Sequence, residues 1–162
     1  MQQFDLIIIG GGPGGYLCAE RAGKAGLRTA LLEKRALGGT CLNEGCIPTK
    51  SLLYCAKQYQ TMLHCEEYGI AAQNVSYDHA AAVVRKDGIV QTLVRGVGVS
   101  MKKHGVAVFS TEGKITGKTG DLFTVSAGAE SLFAPRLVLA SGSSAVVPPI
   151  PGVRDGLASG FV

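Results

Sequence analysis

Two cysteines five positions apart, Cys41 and Cys46, stand in the segment Gly38-Gly39-Thr40-Cys41-Leu42-Asn43-Glu44-Gly45-Cys46-Ile47-Pro48-Thr49-Lys50. Five residues turn a regular helix through about 500°, so the pair cannot share one helix face. A loop running into a helix can still bring the thiols together, and Gly45 lets the chain bend just before Cys46. Pro48 suits the first turn of a helix starting at Cys46 or Ile47, where its missing N–H costs nothing. Cys46 would then lie at the positive end of the helix dipole, which favours a thiolate, and Lys50 adds a positive charge one turn on. A disulfide between them would close a very short loop and gain little chain-entropy stabilisation. That is the profile of a labile redox pair rather than a staple.

Three other readings compete: two inert buried cysteines, half of a zinc site, and a structural disulfide. No second Cys or His pair follows at ligand spacing, so no metal site is expected. The five cysteines are an odd number in a chain unlike a small secreted domain, which argues against a disulfide framework. Cys18, Cys55 and Cys65 are expected to be small apolar fillers on helix faces.

A second constellation could cradle phosphate. Gly10, Gly12 and Gly15, with Pro13 and Gly14 between, form a G-x-G-x-x-G motif directly after the apolar run Phe4 to Ile9. The first glycine permits the tight turn, the second admits a pyrophosphate to the backbone, and the third lets helix and strand pack closely. The helix start behind them offers N–H groups and positive dipole. Glu33 ends the next apolar run 18 residues after Gly15, a place that suits a carboxylate bonding a ribose hydroxyl. The motif alone does not separate FAD from NAD.

Elements must hold these groups. Phe4–Ile9, a helix over Tyr16–Ala25 and a strand over Arg28–Leu32 make a βαβ unit whose unbroken apolar strands suit a parallel sheet buried on both faces. A Gly-rich loop, Leu37 to Gly45, leads into a helix reaching about Glu67, with Leu52, Leu53, Ala56, Tyr59 and Leu63 at helical spacing. A further helix over Tyr77–Lys103 has Ala81, Val84, Ile89, Leu93, Val97 and Met101 on its apolar side. Val106–Phe109, Gly113–Gly117, Leu122–Ser126 and Ser131–Leu139 read as a small antiparallel meander. Arg136–Ala140 reads as a final core strand, closed by Ser141-Gly142-Ser143. Residues 148–162 read as a linker, without a defined element over the last ten. The fold class is therefore α/β: a parallel sheet with helices plus a small antiparallel meander, spanning residues 1–147.

The 162 residues suffice for one domain with a real core. The net charge of +4 is small and dispersed. Pairs such as Lys102–Lys103 do not make the basic stripe of a nucleic-acid binder, so no nucleic-acid partner is expected. Met1-Gln2-Gln3 lacks a basic leader and no run approaches the roughly 20 apolar residues of a spanning helix, so a cytoplasmic protein with no membrane partner is expected.

Taken together, Gly10–Gly15, Glu33 and the run from Gly38 to Leu53 resemble the FAD-dependent pyridine nucleotide–disulfide oxidoreductases, over about Phe4 to Gly152. Ile47-Pro48-Thr49-Lys50-Ser51-Leu52-Leu53 looks most like the dihydrolipoamide dehydrogenase branch of that family. The resemblance implies a Rossmann-like FAD-binding domain and assigns roles. Gly10, Gly12, Pro13, Gly14, Gly15, Gly39 and Thr40 belong to the cofactor site. Glu33 bonds the adenosine ribose, with Lys34 beside it. Cys46 lies against the flavin, Cys41 is the outer thiol that exchanges with substrate, and Lys50 sits near the flavin's reactive nitrogen. Gly113 matches a position that contacts the adenine end. Ala140, Ser141 and Gly142 resemble the family's second FAD motif, with Ser141 where Thr is usual.

The parent enzyme so implied oxidises dihydrolipoamide with NAD, works with the lipoyl domain of 2-oxo acid dehydrogenase or glycine cleavage complexes, and is a homodimer. No second G-x-G-x-x-G is present for NAD, since Gly96-Val97-Gly98 is followed by Met101. No His-Pro-Thr-like segment is present either, and His64, His79 and His104 fall on predicted helices at the surface. The chain is thus expected to be the first, truncated segment of an FAD domain, inactive alone and leading toward an NAD domain outside it. A glutathione- or mercuric-reductase-type parent and a stand-alone FAD-binding module are the alternatives.

Overall fold

The computed structural model describes residues 2–161. A parallel four-stranded sheet lies at its centre. Its strands are β2 (Leu6–Ile9), β3 (Thr29–Leu32), β4 (Ala107–Phe109) and β8 (Leu137–Leu139), in the order β4-β3-β2-β8. A second sheet has the order β1-β7-β6-β5. It joins β1 (Gln2–Gln3), β5 (Gly113–Thr119), β6 (Leu122–Ala127) and β7 (Glu130–Ala134), with β1 parallel to β7 and the others antiparallel.

Strand periodicity sorts the core between two layers. In β2, Leu6 and Ile8 turn to one face, where they cluster with Leu31, Ala19 and Ala22 of helix α1 (Pro13–Lys24), Met101 and Val106. Ile7 turns to the other face and packs with Ala30, Leu32, Val125 and Leu132, so the second sheet covers that side. The central strands are apolar without interruption because both faces are covered. At roughly 25 cal/mol per Å² of apolar area, residues such as Ile7, Ile8 and Leu31, which expose nothing, are the main stabilising contribution.

Among the described residues there are four other α-helices: α2 (Gly39–Asn43), α3 (Cys46–Leu63), α4 (His79–Lys103) and α5 (Val153–Ser159). A single 3-10 turn spans Cys65–Tyr68 and buries Cys65. Helix α4 starts on Asp78, whose carboxylate accepts from the Ala81 N–H at 3.1 Å.

Several expectations need correction. The loop between Leu37 and Gly45 contains α2, and Val153–Ser159 is helical where no element was expected. Ala107–Phe109 belongs to the parallel sheet beside β3 rather than to the meander, and Leu137–Leu139 is separate from β7 and pairs with β2. The apolar stripe of α4 is largely outside the core. Met101 is fully buried and Val97 packs beside it, but Val84 is 71% exposed. The helix is 25 residues long, and its N-terminal part lies beside α3 instead of over the sheet. Likewise the buried residue of α3 is Ser51, while Leu53 is 63% exposed. His64 and His79 are exposed, whereas His104 is half-buried at the end of α4, its Nδ1 2.8 Å from the Ser100 carbonyl.

Candidate functional site

The glycine turn takes the shape its motif requires. Gly10 has φ +107°, and a Cβ there would lie 2.1 Å from the Ala140 carbonyl oxygen, so only glycine fits between β2 and the end of β8. The Gly10 N–H donates to the Leu32 carbonyl at 2.8 Å, and the Ala140 N–H donates to the Ile9 carbonyl at 2.8 Å. Gly15 is buried against the same turn: its hypothetical Cβ would stand 1.7 Å from the Gly10 oxygen. Gly12 caps α1 without a side chain, and Pro13 occupies the first turn. The Gly15 and Tyr16 N–H groups both turn back to the Gly12 carbonyl at 2.9 Å, and the positive end of the helix dipole faces outward, where it favours an anion.

Glu33, just beyond β3, is held by two backbone donors. The Gly11 N–H reaches Oε2 at 2.7 Å and the Arg35 N–H reaches Oε1 at 2.7 Å. The carboxylate is therefore fixed beside the glycine turn with lone pairs to spare. Lys34 pairs with Glu112 at 3.4 Å and Lys114 with the other Glu112 oxygen at 3.6 Å. The two ammonium groups, Lys34 first, hold the Glu112 carboxyl below its usual range.

Helix α2 carries Cys41, and α3 begins at Cys46, as the position of Pro48 suggested. Asn43 ties the end of α2 back to its start by donating its side-chain amide to the carbonyls of Leu37 at 3.1 Å and Gly39 at 2.9 Å. Gly38 and Gly39 enter it with φ of +95° and +56°. Cys41 is half-buried, Cys46 is exposed, and both are free thiols. The neighbouring Cys46 thiol pushes the pKa of Cys41 above the ordinary cysteine value. Desolvation and the Cys46 charge add to the rise, while the Cys46 N–H and Lys50 oppose it. The two sulfurs therefore share one small site.

These pieces meet at a cavity of about 980 Å³. Of the residues singled out from the sequence, Gly10, Gly12, Pro13, Gly14, Glu33, Lys34, Gly39, Thr40, Cys41, Ala140, Ser141 and Gly142 all line it. Four do not. Gly15 lies behind the turn. Gly113 opens β5, packed on Ile9 and Leu32. Cys46, at the start of α3, is exposed outside the cavity. Lys50 lines a separate apolar cavity of about 260 Å³ between α3 and α4 with Tyr54, Arg85, Ile89 and Leu93. The cavity wall also includes Ser143, the last residue of the run Ala140-Ser141-Gly142-Ser143 that resembles the second FAD motif, and Arg35, Ala36, Asn43, Glu44 and Ser144, to which sequence reasoning gave no role. The ion pair of Arg35 with Glu44 has no local signature, because nine residues and a turn separate the partners.

The cavity has the features of a dinucleotide site. Its volume is that of a ligand pocket, its floor is glycine backbone, a helix start faces it, and a fixed carboxylate stands at the strand end. The fold and site therefore define a dinucleotide-binding α/β domain with a dithiol at its cavity edge.

The family model of the pyridine nucleotide-disulphide oxidoreductases matches residues 4–161, and the chain belongs to that family. It is a family of flavin-dependent disulfide oxidoreductases, and FAD is the group its members' cavity implies. Among curated relatives, the dihydrolipoyl dehydrogenase of Acholeplasma laidlawii is 43% identical over 162 residues, 99% of this chain and 47% of that protein. That of Pseudomonas aeruginosa is 44% identical over 150 residues, 90% of this chain and 32% of the other. Among solved structures, the HOCl-induced flavoprotein disulfide reductase RclA from Escherichia coli, determined as a Cu(II) complex, superposes with a TM-score of 0.73. It shows 27% identity, over 93% of this chain and 31% of that one. The chain thus spans less than half the length of these relatives. Among the described residues no helix is long and apolar enough to cross a membrane.

Proposed function

We propose that the chain is the FAD-binding and dithiol-bearing part of a dihydrolipoamide dehydrogenase, which oxidises dihydrolipoamide to lipoamide and passes the electrons to NAD⁺. The observation that carries this reading is the placement of Cys41 on the wall of the dinucleotide cavity, in contact with Cys46 at the start of α3. The identities to two dihydrolipoyl dehydrogenases favour this substrate over others.

In the oxidised form the two sulfurs are a disulfide. A substrate thiolate attacks Cys41 Sγ, the S–S bond breaks, and Cys46 leaves as a thiolate facing the first N–H groups of α3. The second substrate thiol, having lost its proton to solvent, attacks the substrate sulfur bonded to Cys41. The substrate leaves as a cyclic disulfide and Cys41 is freed as a thiolate. Two electrons have then moved from substrate to the protein pair. FAD, when bound, supplies the electron-accepting chemistry. Gly10, Gly12 and the α1 start would hold its phosphates, and Glu33 its ribose. NAD⁺, the lipoyl-domain partner, a homodimeric parent and a cytoplasmic location belong to this proposal.

A related enzyme acting on another disulfide or a metal ion is the second reading, supported by the likeness to the RclA reductase. The test is to oxidise the purified chain and add dihydrolipoamide or glutathione in separate arms, to add mercuric ion to a separate sample of the reduced chain, whose thiols can bind it, and to follow protein thiols by mass. Rapid reduction of a Cys41–Cys46 disulfide by dihydrolipoamide, absent in Cys41→Ser, supports the first reading. Reaction with glutathione or mercuric ion alone overturns it.

A further inference from the structure

The segment that carries the dithiol is tied to the cofactor carboxylate through one residue. Arg35 uses its backbone N–H to hold Glu33 Oε1 at 2.7 Å, while its guanidinium is paired with the Glu44 carboxylate. Glu33 Oε2 is in turn held by the glycine turn at Gly11. Glu44 caps the C-terminal end of α2, where its N–H donates to the Thr40 carbonyl at 2.9 Å, and it stands between Cys41 and Cys46 in the chain. Both partners line the large cavity. Asn43 and the buried Leu42 anchor α2 itself, and the Arg35–Glu44 pair acts at its far end, just before α3 begins after Gly45.

We infer that Arg35 is a positioning residue for the redox pair: by gripping Glu44 it fixes the turn from α2 into α3 and so keeps Cys41 Sγ and Cys46 Sγ within bonding reach. The inference rests on the reading of Cys41 and Cys46 as a redox pair. Its effect is on the effective concentration of one thiol at the other, because a looser turn samples separations at which no S–S bond can form. The pair is exposed, its side chains retaining 71% and 46% of their accessible surface, so the effect is modest. Exposed ion pairs contribute up to about 1 kcal/mol, which corresponds to about a five-fold change in an equilibrium constant.

The electrostatic alternative has the opposite sign. If Arg35 served only to neutralise Glu44, its loss would leave a bare carboxylate near the thiols, disfavour the thiolates and make the dithiol harder to deprotonate. Removing Glu44 itself would then reverse that effect. Under the positioning account, removing either partner loosens the same turn.

The experiment is equilibration of the purified chain, with FAD added, in glutathione redox buffers of varied ratio. Alkylation and mass analysis then quantify the Cys41–Cys46 disulfide. The reaction is balanced: two protein thiols and one glutathione disulfide give the protein disulfide and two glutathione thiols. Arg35→Gln and Glu44→Gln are each expected to lower the equilibrium constant for disulfide formation two- to five-fold. Arg35→Lys should restore most of it, and the double variant should be no worse than either single one. Circular dichroism verifies that each variant is folded, and a fold defect alone would not be rescued by lysine or show this non-additivity. An unchanged constant in Glu44→Gln, or additive losses in the double variant, overturns the inference while leaving the redox pair intact. If the unsubstituted chain forms no Cys41–Cys46 disulfide, both this inference and the proposed function fail.

Discussion

Gly15→Ala tests the packing on which the cofactor cradle depends. The new methyl group would stand 1.7 Å from the Gly10 carbonyl oxygen and 2.9 Å from its carbon, where ordinary contact begins at 3.4 Å. Helix and loop must therefore separate by about 1.7 Å, the difference of those two distances, and neither side is a flexible side chain that could rotate away. Overpacking of this kind costs roughly 1–3 kcal/mol, and the all-backbone clash places this case near the upper end. Alanine recovers about 1 kcal/mol of helix propensity, leaving a net loss of about 2 kcal/mol. For a chain of this size that is a fall of roughly 4–8 °C in melting temperature. Gly14→Ala is the control: its Cβ would meet Ala140 Cβ at 3.8 Å, an ordinary contact, so stability should hold or rise by up to about 1 kcal/mol. Thermal unfolding by circular dichroism, with bound flavin read by fluorescence, measures both. A Gly15→Ala chain that melts at or above the parent temperature would refute the packing argument.

Two further substitutions probe the site. Glu33→Gln keeps one acceptor oxygen but turns an amide NH₂ toward one of the two backbone N–H groups that now reach the carboxylate at 2.7 Å. A loss of about 1–2 kcal/mol, or five- to thirty-fold in FAD affinity, is expected in a fluorescence titration, and unchanged affinity would remove Glu33 from the site. Cys46→Ala removes the largest cause of the raised Cys41 pKa. A raised pKa means less thiolate at a given pH, so alkylation of Cys41 should reach its midpoint at lower pH in Cys46→Ala than in the reduced parent. A midpoint that stays put or moves upward would show that the thiols do not interact.

The parts legible in the sequence are those written in adjacent residues. Phe4–Ile9, the glycines and the apolar run to Leu32 announce a βαβ unit within thirty residues, and Pro48 places the start of α3 at Cys46. Most of the expected cofactor residues meet on one cavity for the same reason: the glycine turn and the strand ends are local signals. What was missed depends on distant partners. Val106–Phe109 reads equally well as a meander strand or a core strand, and only pairing with β3 decides it. Helix α2 is too short to show periodicity and is set by left-handed Gly38 and Gly39 and by the Asn43 side chain. The stripe on α4 obeys helical spacing, but spacing cannot say how far a helix extends past its sheet. Lys50 lines a smaller cavity beside Arg85, and its place near a flavin rests on resemblance alone.

The pairing of β2 with β8 bears on how the protein is made. Ile7 lies beside Leu137, 130 positions along the chain, and the Gly10 turn closes only against Ala140. At synthesis rates of roughly 5–20 residues per second, the first strand waits about 7–26 s for the strand that completes its sheet. During that interval β2 has an open apolar edge, a hazard for pairing with other chains. Contacts of such long sequence separation also make folding slow. The cofactor cradle is built from both ends of this topology, so it cannot close until the chain has been made at least as far as Ala140.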